Sequence, residues 1–506
     1  MATTTRKQAC WARLGGVVLA SALAGGCLSA PAYAGAIDLV GFGAKSMGRG
    51  GGGVARVNDS TGLFTNPAGL ARMQNPDLAF GYHFIRMEFE DLADVRWDTN
   101  RDGWLDDADP ALSVSTDYGH ADGIQVSIGR PIGKRFGLAV GGFIPIGQLM
   151  RIRTFEPALP TYAMYENRAH RYELAAGFGW EQLPGLSVGG AIELIARAKY
   201  EIGITLDAPV RTATEADGSV GDLVGPLTLD AHRMSLELVP ALAPIIGVMW
   251  DAGELVPALD GFVLAGSWRG TSGLPVDVEI DLQANVRVTQ AGTLDDPIIV
   301  PVLAPIRLDF FDHYVPERLM LGTAWEAERF AVNMDLYRYR WSRMRVSVAE
   351  VVGGGLDTPL VTITDGELRD GNPYTLLLTD TWNFRLGGEA RVLTTPLADG
   401  WDDLAIDVRA GFVNEPTPIA GQGTESAMLD SDRRMVSTGL SVSHGEPFDV
   451  VAGPLSWDFY AQWHRLAPGK LARAPDPEVP GTPITADGFA IGGRIFSAGM
   501  QFGISF

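Results

Sequence analysis

The sequence predicts an all-β fold, a transmembrane antiparallel β-barrel, on three observations. Apolar residues alternate with small or polar ones in segments of roughly ten residues, the length of a tilted membrane strand. Tryptophan and tyrosine recur where these segments end, at Tyr172, Trp180, Trp250, Trp268, Trp325, Trp341, Trp382 and Trp457, as in the aromatic girdles of a membrane interface. The chain finishes on Phe506 inside the last such segment. A soluble β-sandwich alternates too, with its apolar face inward, but these segments are too many and too long for one sandwich.

Residues 1–34 read as a secretory signal peptide. Arg6, Lys7 and Arg13 form a basic start, Leu14 to Ala24 an apolar core, and Ala32-Tyr33-Ala34 a small-residue cleavage site, so the mature chain is expected to begin at Gly35. A lipoprotein signal ending at Cys27 is the alternative, although Ala24 stands where such signals carry Leu. Both cysteines, Cys10 and Cys27, lie in this leader. The mature chain is left without disulfides, thiolate metal sites or a catalytic Cys, which suits passage through an oxidising periplasm. Beyond the leader no run approaches the roughly 18 apolar residues of a membrane helix. With 61 acidic and 40 basic residues the chain carries a net charge of −21. Nucleic acid is therefore excluded as a partner, because phosphate binding needs a basic surface.

The mature chain opens differently from the rest. Gly48-Arg49-Gly50-Gly51-Gly52-Gly53, Asp59-Ser60-Thr61-Gly62 and Asn66-Pro67-Ala68-Gly69-Leu70 lack strand alternation and read as a compact coil with tight turns. The glycine run is no P-loop, since no Gly-Lys-Ser/Thr follows it.

From Leu78 onward strands are expected to the end of the chain. Ile124–Ile128, Phe136–Ile144, Tyr172–Trp180, Leu186–Leu194, Phe262–Trp268 and Trp382–Ala390 are candidates. The clearest alternations place Val276, Val278, Ile280 and Leu282 on one face, then Phe330, Val332, Met334 and Leu336, then Leu404, Ile406, Val408 and Ala410, and then Trp457, Phe459, Ala461 and Trp463. At the C-terminus Phe496, Ala498, Met500, Phe502, Ile504 and Phe506 alternate with Ser497, Gly499, Gln501, Gly503 and Ser505. Because successive strand side chains point to opposite faces, each segment has one greasy face and one small or polar face. In lipid such a sheet must close on itself, since no backbone group can be left unpaired.

The sharpest local motif runs from Asp98 to Asp109. It sets oxygen ligands Asp98, Asn100, Asp102, Asp106 and Asp109 at loop positions 1, 3, 5, 9 and 12, Gly103 at 6, and the Trp104 carbonyl at 7. That is the pattern of a Ca2+ loop, with Asp in place of the usual Glu at the last position. A solvated acidic loop is the alternative. No other cofactor is expected. Among basic residues on polar strand faces or in loops, Arg151, Arg153, Arg338 and Arg385 are the candidates to meet a ligand carboxylate.

The glycine-rich start, Ala55–Asp59 and Asn66-Pro67-Ala68-Gly69-Leu70 together carry a family resemblance. Val315-Pro316-Glu317-Arg318-Leu319 through Leu321-Gly322-Thr323-Ala324-Trp325, Asp335 to Trp341-Ser342, Arg409-Ala410-Gly411-Phe412 before Pro416 and Pro418, and the terminal Phe506 extend it. Over Gly35–Phe506 the sequence resembles the FadL family of outer-membrane transporters for long-chain fatty acids and other hydrophobic compounds. The resemblance implies a barrel of about 14 strands (residues 78–506) plugged by an N-terminal hatch (residues 35–77), in the outer membrane of a Gram-negative cell. It implies uptake of a hydrophobic small molecule, gating by hatch rearrangement with Asn66, Pro67 and Ala68 in the family's Asn-Pro-Ala element, lateral exit into the membrane lipid, and a monomer. The acidic insertions Glu88–Ala121 and Ala208–Asp230 depart from the family pattern and bear on which ligand is captured.

Two rival classes remain in view, a general polar porin and an outer-membrane lipid-active enzyme. An enzyme is not expected. The seven histidines (His83, His120, His170, His232, His313, His444 and His464) are scattered, and the adjacent Ser443 and His444 would face opposite sides of a strand.

Overall fold

A computed structural model of the chain describes residues 41–95, 112–114, 120–146, 162, 172–200, 205–211, 223–230, 236–288, 298–343, 356–357, 362–363, 376–395, 404–422, 428–445, 454–471 and 489–506. Fourteen antiparallel strands close into one barrel. They are β1 (Asp77–Phe89), β2 (His120–Ile132), β3 (Phe136–Ile146), β4 (Tyr172–Leu183), β5 (Leu186–Tyr200), β6 (Leu236–Asp251) and β7 (Phe262–Arg269). The second half comprises β8 (Arg318–Glu326), β9 (Phe330–Tyr339), β10 (Thr381–Thr395), β11 (Leu404–Glu415), β12 (Arg433–His444), β13 (Leu455–Leu471) and β14 (Phe489–Ser505). Each strand pairs with its neighbour in the chain, and β1 closes on β14 in the register Asp77↔Ser505 to Phe89↔Gly493. This is the expected all-β closed barrel of 14 strands.

The alternation has the polarity of a membrane barrel. On β9 Phe330, Val332, Met334 and Leu336 face outward and Ala331, Asn333, Asp335 and Tyr337 inward. On β14 Met500 is 47% exposed, whereas Ser497 and Gln501 are buried inside. The apolar residues thus stand where lipid would be and the polar ones line the lumen, the inverse of a soluble core. Trp180, Trp382 and Trp457 are outward and exposed, as the girdle reading requires. Trp341 is not part of the girdle: it is 1% exposed, in a short 3-10 turn packed among Tyr337, Tyr339 and Met428. A tryptophan beyond the end of a strand follows the turn it sits in rather than the pleat.

Connection length separates the two ends. Gly133 to Arg135 joins β2 to β3, and Pro184-Gly185 joins β4 to β5. Both turns need a left-handed residue, which Gly133 (φ 67°) and Gly185 (φ 76°) supply. Asp77 and Ser505 lie at this short-turn end, which in outer-membrane barrels faces the periplasm. The long connections leave from the opposite end, where Ser272–Val288 and Ile298–Val315 pair as a ribbon.

Residues 41–76 pack against the inward-facing side chains of strands all round the barrel. Their regular pieces are short: α1 (Ala44–Gly48) and two 3-10 turns, Ser60–Phe64 and Pro67–Arg72. Asp59 caps the first turn through Thr61 N (3.0 Å), and Asn66 caps the second through Ala68 N (3.1 Å), with Pro67 at the first position, where its missing N–H costs nothing. Wall side chains satisfy backbone groups that such short turns leave unpaired. Gly43 N donates to Gln125 (3.0 Å), Ala44 N to Gln501 (3.1 Å), and Gly53 N and Val54 N to the two oxygens of Asp335 (2.8 and 3.1 Å). Gln462 and Ser437 in turn donate to Met47 O (2.9 Å) and Gly48 O (3.0 Å).

Candidate functional site

The luminal segment sits low in the barrel and is matched to the wall in charge and in shape. It is basic and the wall facing it is acidic: Arg56 meets Glu326 (3.2 Å) and Glu389 (3.1 Å), and Arg72 meets Asp251 (3.5 Å). Arg409 of the wall completes the network with Glu389 and Asp458. Burial draws the Arg49 guanidinium down to about 10, with Arg56 adding to the fall and Glu389 opposing it.

The shape match is made by glycine. Gly137 of β3, Gly179 of β4, Gly189 of β5 and Gly247 of β6 form a smooth inner patch on which the 66–72 turn rests. A Cβ at these positions would overlap Leu70 O, Ala71 N, Pro67 and Asn66 Oδ1 respectively. Asn66 is fully buried there. Besides capping Ala68, its amide donates to Val54 O (3.0 Å) and to the wall carbonyl of Val248 (3.2 Å). All three residues of the Asn66-Pro67-Ala68 element are buried against the wall.

Above this segment, toward the long-loop end, lies a cavity. Its floor is apolar, made by Phe42, Met47 and Phe64 with Phe143 of β3 beside them. Its walls carry four buried guanidinium groups: Arg269 at the end of β7, Arg318 at the start of β8, Arg385 on β10 and Arg433 at the start of β12. Arg269 pairs with the buried Glu193 of β5 at 2.5 Å. Arg433 pairs with Glu415 and donates to His464 Nδ1 at 2.9 Å. Arg318 donates to Phe64 O (3.3 Å), and Arg385 to Gly50 O (3.2 Å) and Gly51 O (3.3 Å). The Tyr337 ring lies between the last two, 5.7 Å from the Arg318 guanidinium and 4.5 Å from that of Arg385. Two further apolar clusters reach toward the mouth, one around Met87, Tyr162, Leu429 and Phe489 and one around Met320, Tyr339, Trp341 and Ile419. The cavity is amphipathic, with an aromatic and thioether floor, arginine-rich walls that also include Glu173, and an apolar approach.

Arg385 is the sequence candidate that reaches this cavity. Arg338 lies on the outward face of β9, paired with Asp380 at 3.0 Å and 5.7 Å from the Trp382 ring. Arg151, Arg153 and the Asp98–Asp109 loop lie outside the described residues. Arg269, Arg318 and Arg433 were missed. Each is an odd number of residues from an apolar outward position (one from Trp268, one from Leu319 and three from Val436), so strand parity points them inward.

Fold and site together define a class: a 14-stranded barrel with an apolar outer face, its own N-terminal segment packed in the lumen, and an amphipathic cavity above that segment. Comparison with solved structures gives the fold a name. A Pseudomonas aeruginosa FadL homologue superposes with a TM-score of 0.54 at 15% identity, over 94% of this chain and 98% of that one. The Pseudomonas putida toluene transporter TodX gives 0.50 at 14% identity, over 93% and 99%. The chain has the fold of the FadL family. No protein-family model matches the sequence, and no curated protein matches it.

Proposed function

We propose that this protein is an outer-membrane uptake channel for hydrophobic molecules, with residues 35–77 acting as a hatch. The observation that carries the reading is the lumen. A polar porin needs a continuous water-filled path, whereas here the lower lumen is filled by residues 41–76 and the space above them is amphipathic. A ligand entering from outside would settle with its apolar part on Phe42, Met47, Phe64 and Phe143 and its polar end toward Arg385 and the neighbouring arginines. Guanidinium groups pair carboxylates in a two-point geometry, so a long-chain fatty acid or similar amphiphilic acid fits better than a bare hydrocarbon such as the toluene named for TodX. Release would follow movement of the Asn66-Pro67-Ala68 turn off its glycine bed. The ligand would then leave sideways into lipid, since a hydrophobic molecule gains nothing from an aqueous exit.

The experiment compares two solutes in proteoliposomes containing the full-length protein. Uptake of a long-chain fatty acid with no swelling in sugars is the expected pattern. Swelling in disaccharides at the rate of an open porin would return the protein to the porin class.

A further inference from the structure

We propose that the outer surface where β12, β13, β14 and β1 adjoin is a binding site for a phosphorylated, multiply acylated lipid of the outer leaflet. Its phosphate would be held by Arg434, Arg465 and Arg494. The proposal rests on the reading that the long-loop end of the barrel faces outside the cell.

Strand register sets the three arginines in one row. Arg434 lies directly opposite Arg465, Arg465 opposite Arg494, and Arg494 opposite Glu88. All three arginines are exposed, while Met435, His464 and Ile495 beside them are buried inward, so the guanidinium groups share the outer face. Adjacent strands lie roughly 4.8 Å apart, and like charges directly opposite destabilise a sheet. Two such pairs in succession are unexpected in a chain with 61 acidic and 40 basic residues.

The row is also undercompensated. Glu88 is shared between Arg86 (2.8 Å) and Arg494 (3.5 Å). Among the described residues neither Arg434 nor Arg465 has an ion-pair partner. Asp432, two residues before Arg434, is near enough to interact with it through charge but forms no direct ion pair, and it accepts a hydrogen bond from Thr417 N at 3.2 Å. Elsewhere at this rim Arg338 is matched by Asp380 at 3.0 Å.

The surroundings give the anion its class. The arginines line a shallow groove with Val436, Trp463 and Phe496, which stand one outward position closer to the membrane centre on β12, β13 and β14. Trp463 is 49% exposed and faces where acyl chains would lie. A dianion at the level of the arginines, joined to several chains packed on these apolar residues, satisfies both halves of the groove. Neither a free phosphate nor a soluble acidic protein would use the lower half.

The test is native mass spectrometry of the full-length barrel in detergent. It is titrated with a diphosphorylated multiply acylated lipid, with the dephosphorylated lipid, and with inorganic phosphate as competitor. The wild type is expected to bind the phosphorylated lipid at least 10-fold more tightly than the dephosphorylated one, as two or three charge-assisted contacts would give. The Arg434→Gln/Arg465→Gln/Arg494→Gln variant should lose that preference, and an Arg135→Gln/Arg329→Gln control at the short-turn end should keep it. Heat-modifiable electrophoretic migration verifies that each variant is folded. No preference in the wild type, retention of the preference by the triple variant, or displacement of the lipid by millimolar inorganic phosphate alone overturns the proposal. Fatty-acid uptake is measured on the same variants: its loss from the wild type would remove the transport reading, while loss of the lipid preference alone would remove only this site.

Discussion

Asn66 donates through its side-chain amide to the main-chain carbonyl of Val248 on β6, at 3.2 Å, from a fully buried position on the barrel wall. The same amide group donates to Val54 O at 3.0 Å, and its oxygen caps Ala68 N at 3.1 Å. One side chain therefore ties together two stretches of the luminal segment and the wall. An unsatisfied buried polar group costs about 1–3 kcal/mol. Asn66→Ala is expected to raise amide exchange across 54–72 by at least 10-fold, leaving the exchange of barrel strands unchanged. Asn66→Asp, which keeps the cap but loses both donors, should fall between the two. Hydrogen exchange read by mass spectrometry checks this, and equal protection in all three proteins would rule out the tether.

The glycine bed predicts a steric counterpart. Valine at Gly179 or Gly189 would overlap Ala71 and Pro67, so the turn must move while outward-facing lipid contacts stay as they are. Cells carrying Gly189→Val should admit a bulky hydrophilic antibiotic at least several-fold faster than wild type, at equal surface abundance. Unchanged permeability would mean that the segment does not seal the lumen.

Arg385 predicts selectivity for a ligand's polar end. It faces the cavity, donates to Gly50 O and Gly51 O, and stacks on Tyr337. Hydrogen bonds to charged groups are worth about 1.5–3 kcal/mol. Arg385→Gln should therefore weaken binding of a fatty acid by about 10- to 100-fold and binding of the alcohol of equal chain length by much less. Fluorescence competition with the two ligands decides it: equal losses would confine Arg385 to supporting the luminal segment.

Burial pushes the Asp432 carboxyl up to about 6 from the usual 3.8, with Arg434 opposing. Because the folded state holds its proton more tightly than the unfolded chain, the folded loop gains stability as pH falls from about 6 toward 4, and nothing more below that. Exchange at Thr417 N, which donates to Asp432 at 3.2 Å, should slow over that window beyond the intrinsic pH effect. Asp432→Asn should remove the dependence, and an identical profile in the variant would contradict it.

Most parts of the fold legible in the sequence are strands with an apolar outer face and a polar inner one, although the equally clear alternation of Val276, Val278, Ile280 and Leu282 belongs to the two-stranded ribbon and not to the closed barrel. β9, β11, β13 and β14 read directly for that reason. β6 did not, because its inner face packs on the luminal segment: Ile245 and Met249 point inward onto apolar partners while Ile246 and Val248 point to lipid, so both faces are apolar. β12 was obscured by Met435 inside and Thr438 outside. The Asn66-Pro67-Ala68 turn was legible through local chemistry, a capping side chain followed by proline. The arginine cavity was only partly so. Arg385 lies within a clear alternation, but Arg269, Arg318 and Arg433 sit at strand ends, where parity is countable only once the strand boundaries are known. The outer row of Arg434, Arg465 and Arg494 depends on register between strands, which no single segment encodes.

A barrel of this kind should pass hydrophobic molecules and exclude polar ones. The most direct measurement is uptake of a radiolabelled long-chain fatty acid and of a disaccharide by cells that depend on this protein for outer-membrane entry, with and without residues 64–70. Saturable fatty-acid uptake and no disaccharide entry are expected with the intact chain, and non-selective disaccharide entry when the turn is removed. Disaccharide entry through the intact protein, or fatty-acid uptake no faster than in cells lacking it, would rule out a selective channel for hydrophobic molecules.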